Sequence, residues 1–279
     1  MRPGCSGGKA AGDDVWLLVR FEVLGLLRAF RAERQLLLGW PRQQAVLAAL
    51  LMNQGHVMPR DELVDAVWGT HAPATASNVV HSYVARLRKI LEPGRARREP
   101  GSVLVSEGHG YALQLAPEQL DLALAGQRLA AARQARTRGN LDEAVAHMDA
   151  ALALWHGTAL AGIPGPLAQV HRVRLAEMRL ATQEERAEVM LSLGQAPGLI
   201  GELSTLVACH PFRERLTELL MRALCLTGRQ AEALVVYQRA RRALVDELGV
   251  EPGPGLRRVH HQVLVADPAL TECLLWRSA

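Results

Sequence analysis

Residues 78–98 read NVVHSYVARLRKILEPGRARR, and the part up to Leu91 has the pattern of an amphipathic helix. At about 100° per residue, the apolar side chains fall on one side and predict a core stripe of Val80, Tyr83, Val84, Leu87, Ile90 and Leu91. An arc of about 160° on the opposite side contains no acid. That arc holds Asn78, His81, Ser82, Ala85, Arg86, Arg88 and Lys89.

The acid-free arc favours contact with a polyanion over an ordinary solvated face. A helix whose polar face meets only water usually mixes charges of both signs one turn apart, whereas the first acid here is Glu92. Small residues at the centre let a helix approach a DNA groove, asparagine can bind adenine, and arginine or lysine can bind guanine or phosphate. The arc is therefore a candidate DNA-binding face. Further candidate DNA contacts in the segments that follow are Arg97, Arg98 and His109.

A small sheet, two helices and a hairpin are predicted around this helix. Short apolar runs within residues 17–38 predict a small antiparallel sheet. Proline near the start and glycine at the end mark two helices, residues 41–55 and 58–69. Residues 102–115 alternate around two glycines and predict a β-hairpin in which Tyr111 belongs to the core. Sheet, three helices and hairpin, in this order, predict a self-contained winged helix-turn-helix over residues 15–116, after a disordered tail of residues 1–14.

The charge distribution agrees with a DNA-binding N-terminal part. Residues 1–116 contain fourteen lysines and arginines against ten acids, which accounts for the whole net charge of +4, whereas residues 117–279 contain eighteen of each. A local excess of positive charge indicates an anionic partner for that part of the chain. No apolar run reaches the ~18 residues of a membrane span, and no signal peptide is present. We expect a soluble cytoplasmic protein associated with the nucleoid, with no membrane partner.

Sequence signatures of catalysis and of metal binding are missing. The chain has no G-x-S-x-G, H-E-x-x-H, Rossmann glycine pattern or phosphate-binding G-x-x-x-x-G-K-[ST], so we expect no enzyme and no cofactor. The cysteines show no paired spacing, which predicts free thiols and neither a disulfide nor a metal site; they are Cys5, Cys209, Cys225 and Cys273.

Residues 117–279 are predicted to be almost entirely helical and to contain repeats. Gly194 and Gly228 lie 34 residues apart. The apolar residues that follow each glycine are separated by the same 34 residues: Leu199 and Ala233, Leu203 and Tyr237, and Leu206 and Ala240. Thirty-four residues is the tetratricopeptide period. An earlier unit that begins at Gly139 has the same internal spacing but lies 55 residues before Gly194, and a long helix of residues 166–194 fills the gap. This part is therefore predicted to be an all-α, tetratricopeptide-like repeat domain; a plain helical bundle is the alternative.

The chain resembles the Streptomyces antibiotic regulatory protein family, activators with a response-regulator-type winged helix followed by a bacterial transcriptional activation domain. The first domain matches in FEVLG (21–25), PRQQAVLAALL (41–51), DELVDAVWG (61–69), YVARLRKIL (83–91) and GHGYAL (108–113). The second matches in residues 141–160, 210–224 and, most specifically, 228–270. The chain departs from the family pattern in two places. Before and at the start of the first helix, Trp40 replaces a small residue and Arg42 replaces lysine, and in the third helix Ser82 stands where relatives often have valine.

The resemblance implies a mostly α protein with a small β component that activates transcription. It implies binding to direct repeats in promoters, side-by-side assembly of two copies on DNA, and recruitment of RNA polymerase holoenzyme through its primary sigma factor. Antibiotic biosynthesis clusters are the usual targets. The turn between the second and third helices faces away from the groove and is the candidate polymerase contact; its residues are His71, Ala72, Pro73, Ala74 and Thr75. A repressor of the same fold, and a repeat scaffold without DNA binding, are the alternative functions.

Overall fold

The structure is a computed structural model that describes residues 19–94 and 103–267. The predicted disordered tail of residues 1–14 and the candidate DNA contacts Arg97 and Arg98 lie outside these residues.

The chain begins with the predicted small antiparallel sheet. Val19 and Phe21 are fully buried and the intervening Arg20 is exposed, so alternation along the first strand turns one face of the sheet to the core. Three strands pair in sequence order: β1 (Val19–Glu22), β2 (Arg28–Arg31) and β3 (Arg34–Gln35).

The three predicted helices and the hairpin are present and form a winged helix-turn-helix. In the predicted core stripe of the third helix, Val80, Val84, Leu87 and Leu91 are each at most 1% exposed, and Tyr83 and Ile90 are partly buried against the same core. The elements are α1 (Pro41–Met52), α2 (Arg60–Trp68), α3 (Ala76–Leu91), β5 (Leu104–Glu107) and β6 (Gly110–Leu113), with β4 (Met58–Pro59) before α2.

The first two residues of the helix predicted over residues 58–69 form strand β4 instead, and α2 begins at Arg60. Met58 pairs with Tyr111 and Pro59 with Gly110, so β6 lies between β4 and β5 in a second three-stranded sheet. A Cβ on Gly110 would lie 2.5 Å from the Met58 carbonyl oxygen, which only glycine avoids. A two-residue strand carries too little periodicity to be recognised from its own sequence.

Helices make up most of the remaining described chain. The predicted long helix is present as α6, which has 27 residues. The helices are α4 (Asp121–Thr137), α5 (Leu141–Leu152), α6 (Pro166–Ser192), α7 (Ile200–Cys209), α8 (Glu214–Leu226), α9 (Gln230–Leu248) and α10 (Pro254–Leu264).

The repeat is visible in the backbone of three helix–helix turns. Gly139, Gly194 and Gly228 have φ of +76°, +75° and +75°. In each turn the N–H that follows the glycine bonds to the carbonyl five residues earlier, at 2.9, 2.9 and 2.8 Å. This is the 6→1 bond of a Schellman cap, which closes a helix with a left-handed residue that is usually glycine. Three identical turns identify the pairs α4–α5, α6–α7 and α8–α9 as the repeated units.

The described chain divides into two compact units whose limits differ from a simple division at residue 116. Among the described residues, one unit comprises 19–94, 103–127 and 153–178, and the other comprises 128–152 and 179–267. The core of the first unit contains side chains from well beyond the winged helix: Leu120, Leu122, Ala125, Trp155, Ala159, Leu160, Ile163, Ala168 and Leu175. The division at 116 stays a prediction about sequence domains, but this core is built from both parts.

Asp121 binds the first sheet to the start of α4 within the first unit. Its carboxylate accepts hydrogen bonds from the N–H groups of Val23 at 2.8 Å, Leu24 at 2.9 Å and Leu122 at 2.7 Å. Burial raises the pKa of Asp121 from 3.8 to about 6, against the lowering effect of these N–H donors. The Val23 and Leu24 amides are thereby satisfied away from water.

None of the described helices combines the length and apolarity needed to cross a bilayer. Within residues 19–94 and 103–267, histidine, cysteine and acidic side chains do not assemble into a group that could hold a metal ion. Cys209 is exposed and Cys225 is buried, and both are free thiols; Cys5 and Cys273 lie outside the described residues.

Candidate nucleic-acid interface

Helix α3 presents most of the predicted acid-free arc to solvent. Ala76 is buried at its start and the core stripe holds the opposite side, so the helix can rotate little about its axis. The predicted residues that are exposed are Asn78, His81, Ser82, Ala85, Arg86 and Lys89. The Ser82 hydroxyl donates to the Asn78 carbonyl at 3.0 Å, which holds its side chain against the helix. The centre of the face therefore stays narrow, with arginine and lysine at its edges.

Arg88 differs from the other predicted contacts because it binds the hairpin. Its Nε donates to the Leu104 carbonyl at 2.9 Å and one terminal nitrogen donates to Ser106 Oγ at 2.7 Å. The guanidinium also lies 5.8 Å from the centre of the Tyr111 ring. Arg88 is half-buried and connects α3 to both strands of the hairpin, a role that the helical wheel did not indicate.

Two further contacts hold α3 and the hairpin in place. The Glu92 carboxylate accepts the backbone N–H of Val103 and, at 3.4 Å, that of Leu104, so the acid that directly follows α3 is directed to the base of the hairpin. His81 Nδ1 lies 3.2 Å from the Tyr111 hydroxyl. Tyr111 is only 3% exposed, which confirms its expected place in the core.

The C-terminal end of α3 is capped by an arginine from the first sheet. One terminal nitrogen of Arg31 donates to the carbonyls of Ile90 at 2.8 Å and Leu91 at 3.0 Å. A cation at this end of a helix satisfies its last carbonyls and complements its dipole. The sequence does not predict this role of Arg31, because Arg31 lies about sixty residues before its partners. The alternating pattern of its strand gives no indication of a helix cap.

The hairpin and the turn place the remaining predicted residues on the surface. His109 is exposed at the tip of the hairpin, between β5 and β6. The turn residues His71, Ala72, Pro73, Ala74 and Thr75 are all exposed. Thr75 is the N-cap residue of α3, but its side chain makes no capping bond.

The start of α1 carries exposed apolar side chains, among them Trp40, which departs from the family pattern. Trp40 is 71% exposed at the N-cap of α1, and Leu37 before it is 88% exposed. The Arg42 guanidinium lies 5.8 Å from the centre of the Trp68 ring, a cation–π distance.

Two family descriptions match the chain one after the other. "Transcriptional regulatory protein, C terminal" matches residues 35–113, the described part of which contains α1, α2, α3 and the hairpin. "Bacterial transcriptional activator domain" matches residues 120–264, which contain α4 to α10.

The curated relatives are bacterial regulatory proteins. The chain is 49% identical over 91% of its length to Regulatory protein AfsR of Streptomyces coelicolor, of which it spans 25%. It is 38% identical over 82% of its length to Regulatory protein DnrI of Streptomyces peucetius, covering 85% of that protein. It is also 36% identical to Transcriptional regulatory protein MoaR1 of Mycobacterium tuberculosis, over 88% of this chain and 79% of the relative.

A solved structure has the same fold over nearly the whole chain. The Mycobacterium tuberculosis protein EmbR, in complex with a low affinity phosphopeptide, superimposes with a TM-score of 0.84 at 32% identity. The match covers 90% of this chain and 66% of EmbR.

Proposed function

The chain belongs to the Streptomyces antibiotic regulatory protein family of transcriptional regulators, and from this premise we propose that it is an activator that binds promoter DNA and recruits RNA polymerase. The observation that carries the DNA-binding step is the exposed face of α3, which combines a narrow polar centre with Arg86 and Lys89 at its edges. Arg88 and Arg31 brace this helix against the hairpin and the first sheet.

Residues on that face have the chemistry for both kinds of DNA contact. Arg86 and Lys89 would bind phosphates or guanine edges, and Asn78 would bind adenine in the major groove. His81, Ser82 and Ala85 would set how closely α3 approaches the bases. Arg88 would contribute mainly by fixing the hairpin. His109 at the tip of the hairpin would contact the DNA backbone, and Arg97 and Arg98 would do the same.

We assign protein contacts to the helical repeats and to the turn. Residues 117–279 have balanced charge, so they offer no net attraction to a polyanion. Stacked helix pairs give broad surfaces that suit protein partners. These surfaces would align two copies side by side on direct repeats, and the turn of residues 71–75 would meet the holoenzyme near its primary sigma factor. The regulated genes would be an antibiotic or secondary-metabolite cluster, and the protein would act at the nucleoid.

The association needed for activation is small. A gain of about 1.4 kcal/mol in the binding of polymerase raises promoter occupancy tenfold while occupancy is low. Contacts of a few exposed turn residues are enough to supply that amount.

In vitro transcription with purified holoenzyme and a promoter that the chain binds tests this proposal. The full chain should raise transcript yield, and replacing His71 and Pro73 with alanine should reduce the stimulation while leaving promoter affinity unchanged. A lower yield in the presence of the unmodified chain would identify a repressor and contradict the proposal.

A further inference from the structure

The segment of residues 153–178, which follows the winged helix by about forty residues, packs against the winged helix within the first unit. Backbone N–H groups of His156, Leu160 and Ala161 donate to carbonyls of residues 23–25 at 3.0, 2.9 and 3.2 Å. The segment then reaches the end of α2 at Gly165 and Pro166, where α6 begins. We call these two residues the corner.

The corner touches α2 through backbone atoms. A Cβ on Gly165 would lie 2.8 Å from the Ala66 carbonyl oxygen and 2.9 Å from that of Val67, distances that side-chain carbons do not tolerate. Gly165 also has φ of +103°, which L side chains rarely adopt. The approach of the corner to α2 therefore depends on the absence of a side chain at residue 165.

Gly69 lies opposite the corner and is the first residue of the turn that follows α2. Gly69 ends α2 with φ of +57° and ψ of −137°, a conformation close to glycine-only backbone. A Cβ on Gly69 would lie 3.4 Å from Pro166 Cγ, so the proline ring stands next to the first residue of the turn. Residues 71–75 are exposed, and the next buried residue is Ala76 at the start of α3. The corner is thus packed at the origin of an otherwise exposed loop.

We propose that Gly165 and Pro166 are positioning residues that hold the α2–α3 turn in the conformation that contacts polymerase. This inference rests on the proposed function for its consequence in transcription, but the positioning itself is a property of the folded chain. The DNA-binding face does not depend on the corner, because Arg31 and Arg88 hold α3 from the other side of the turn. Loss of the corner contact should therefore separate activation from DNA binding.

Amide hydrogen exchange of the full chain measures the positioning without polymerase. Gly165→Ala should accelerate exchange in residues 67–76 by about tenfold or more, since the contact that orders the start of the turn is lost. Gly157→Ala is the matched control. Gly157 lies in the same segment with φ of +118°, but nothing lies within 4 Å of a Cβ there. Equal exchange of the turn in the two variants would overturn the proposal.

A second variant covers the case in which Gly165→Ala unfolds. Pro166→Ala removes the ring beside Gly69 without introducing backbone strain, and proline at a first helical position is replaceable. It should keep the unfolding temperature of the unmodified chain and still raise turn exchange by about two- to fivefold. Unchanged exchange in Pro166→Ala would overturn the role of the corner even if Gly165→Ala could not be purified.

The transcription assay then tests the consequence. Gly165→Ala should retain promoter affinity within about twofold and lose at least about fivefold of the stimulation, and it should cause no further loss in the His71→Ala/Pro73→Ala background. An additive further loss would indicate a general structural defect and contradict the positioning role. If the unmodified chain does not stimulate transcription, the proposed function fails, while the exchange experiment still decides the positioning.

Discussion

Arg86 and Arg88 lie two positions apart on α3 and illustrate how residues of one type take different roles. Arg86 is exposed on the predicted DNA-binding face, whereas Arg88 donates hydrogen bonds to Leu104 and Ser106 on the hairpin. Helical spacing placed both residues in the same acid-free arc. It could not show that a strand sixteen residues later supplies acceptors for one of them.

These two arginines give the first prediction. Arg88→Ala should lower the free energy of unfolding by about 1–2 kcal/mol, because hydrogen bonds from a charged donor are lost and a buried carbonyl loses its partner. Arg86→Ala is the matched control and should change the free energy of unfolding by less than about 0.5 kcal/mol. Urea unfolding of both variants measures the difference. Equal stabilities would show that Arg88 does not hold the hairpin.

Asp121 supplies a prediction that depends on pH. The unfolded carboxyl titrates near 3.8 and the folded one near 6, so the folded state binds the proton more tightly. Its contribution to stability is full below pH 4, falls as the pH rises to 6, and is constant above. Relative to Asp121→Asn, the free energy of unfolding of the unmodified chain should therefore fall by up to roughly 3 kcal/mol between pH 4 and pH 6. A free energy of unfolding that stays constant or rises relative to that of Asp121→Asn over this range would contradict the raised pKa.

Among the helices and strands, the three helices of the winged helix and the long helix α6 were predicted from the sequence, as was the 34-residue repeat. The short strand β4 was not. The prediction succeeded where a signal recurs over many residues, as in α3 and in the 34-residue interval from Gly194 to Gly228. It failed where a pairing between distant segments creates the element. Met58 and Pro59 form a strand only because Gly110 and Tyr111 lie beside them.

The repeat turns predict opposite effects for two glycine substitutions. Gly228→Ala places a side chain in a left-handed cap and should destabilise the chain by about 1–2 kcal/mol. Gly126→Ala should stabilise it by about 0.5–1 kcal/mol, since Gly126 is exposed inside α4 and a Cβ there has open space. Thermal unfolding of the two variants should move in opposite directions. A rise in unfolding temperature for Gly228→Ala would show that the cap is not required.

In the described chain, the core of the winged helix also contains residues from beyond position 116. A fragment ending at residue 116 lacks the Asp121 carboxylate that satisfies Val23 and Leu24, and it lacks the apolar side chains of residues 155–175 that complete the same core. The sequence could not reveal this sharing, because about a hundred residues separate Asp121 from its partners.

The shared core predicts the behaviour of that fragment. Residues 1–116 should unfold at a clearly lower temperature than the first transition of the full chain, since each unsatisfied buried amide costs about 1–3 kcal/mol and apolar surface becomes exposed. Differential scanning calorimetry of the fragment and of the full chain provides the comparison. A fragment as stable as the full chain would show that residues 117–178 add nothing to the winged helix.

If the exposed face of α3 holds promoter DNA, the affinity for the promoter and its salt dependence must change when the basic residues of that face are removed. Binding of the unmodified chain, of Arg86→Ala/Lys89→Ala and of Arg258→Ala, an exposed arginine on α10, would be measured by fluorescence anisotropy over a series of salt concentrations. The double variant should lose about 1–3 kcal/mol of binding free energy for each base contact that it lacks. For each phosphate contact that it lacks, its slope of log K against log salt should instead fall by about one. Arg258→Ala should bind like the unmodified chain. Unchanged affinity and unchanged slope in the double variant would contradict the assignment of α3 as the DNA-binding helix.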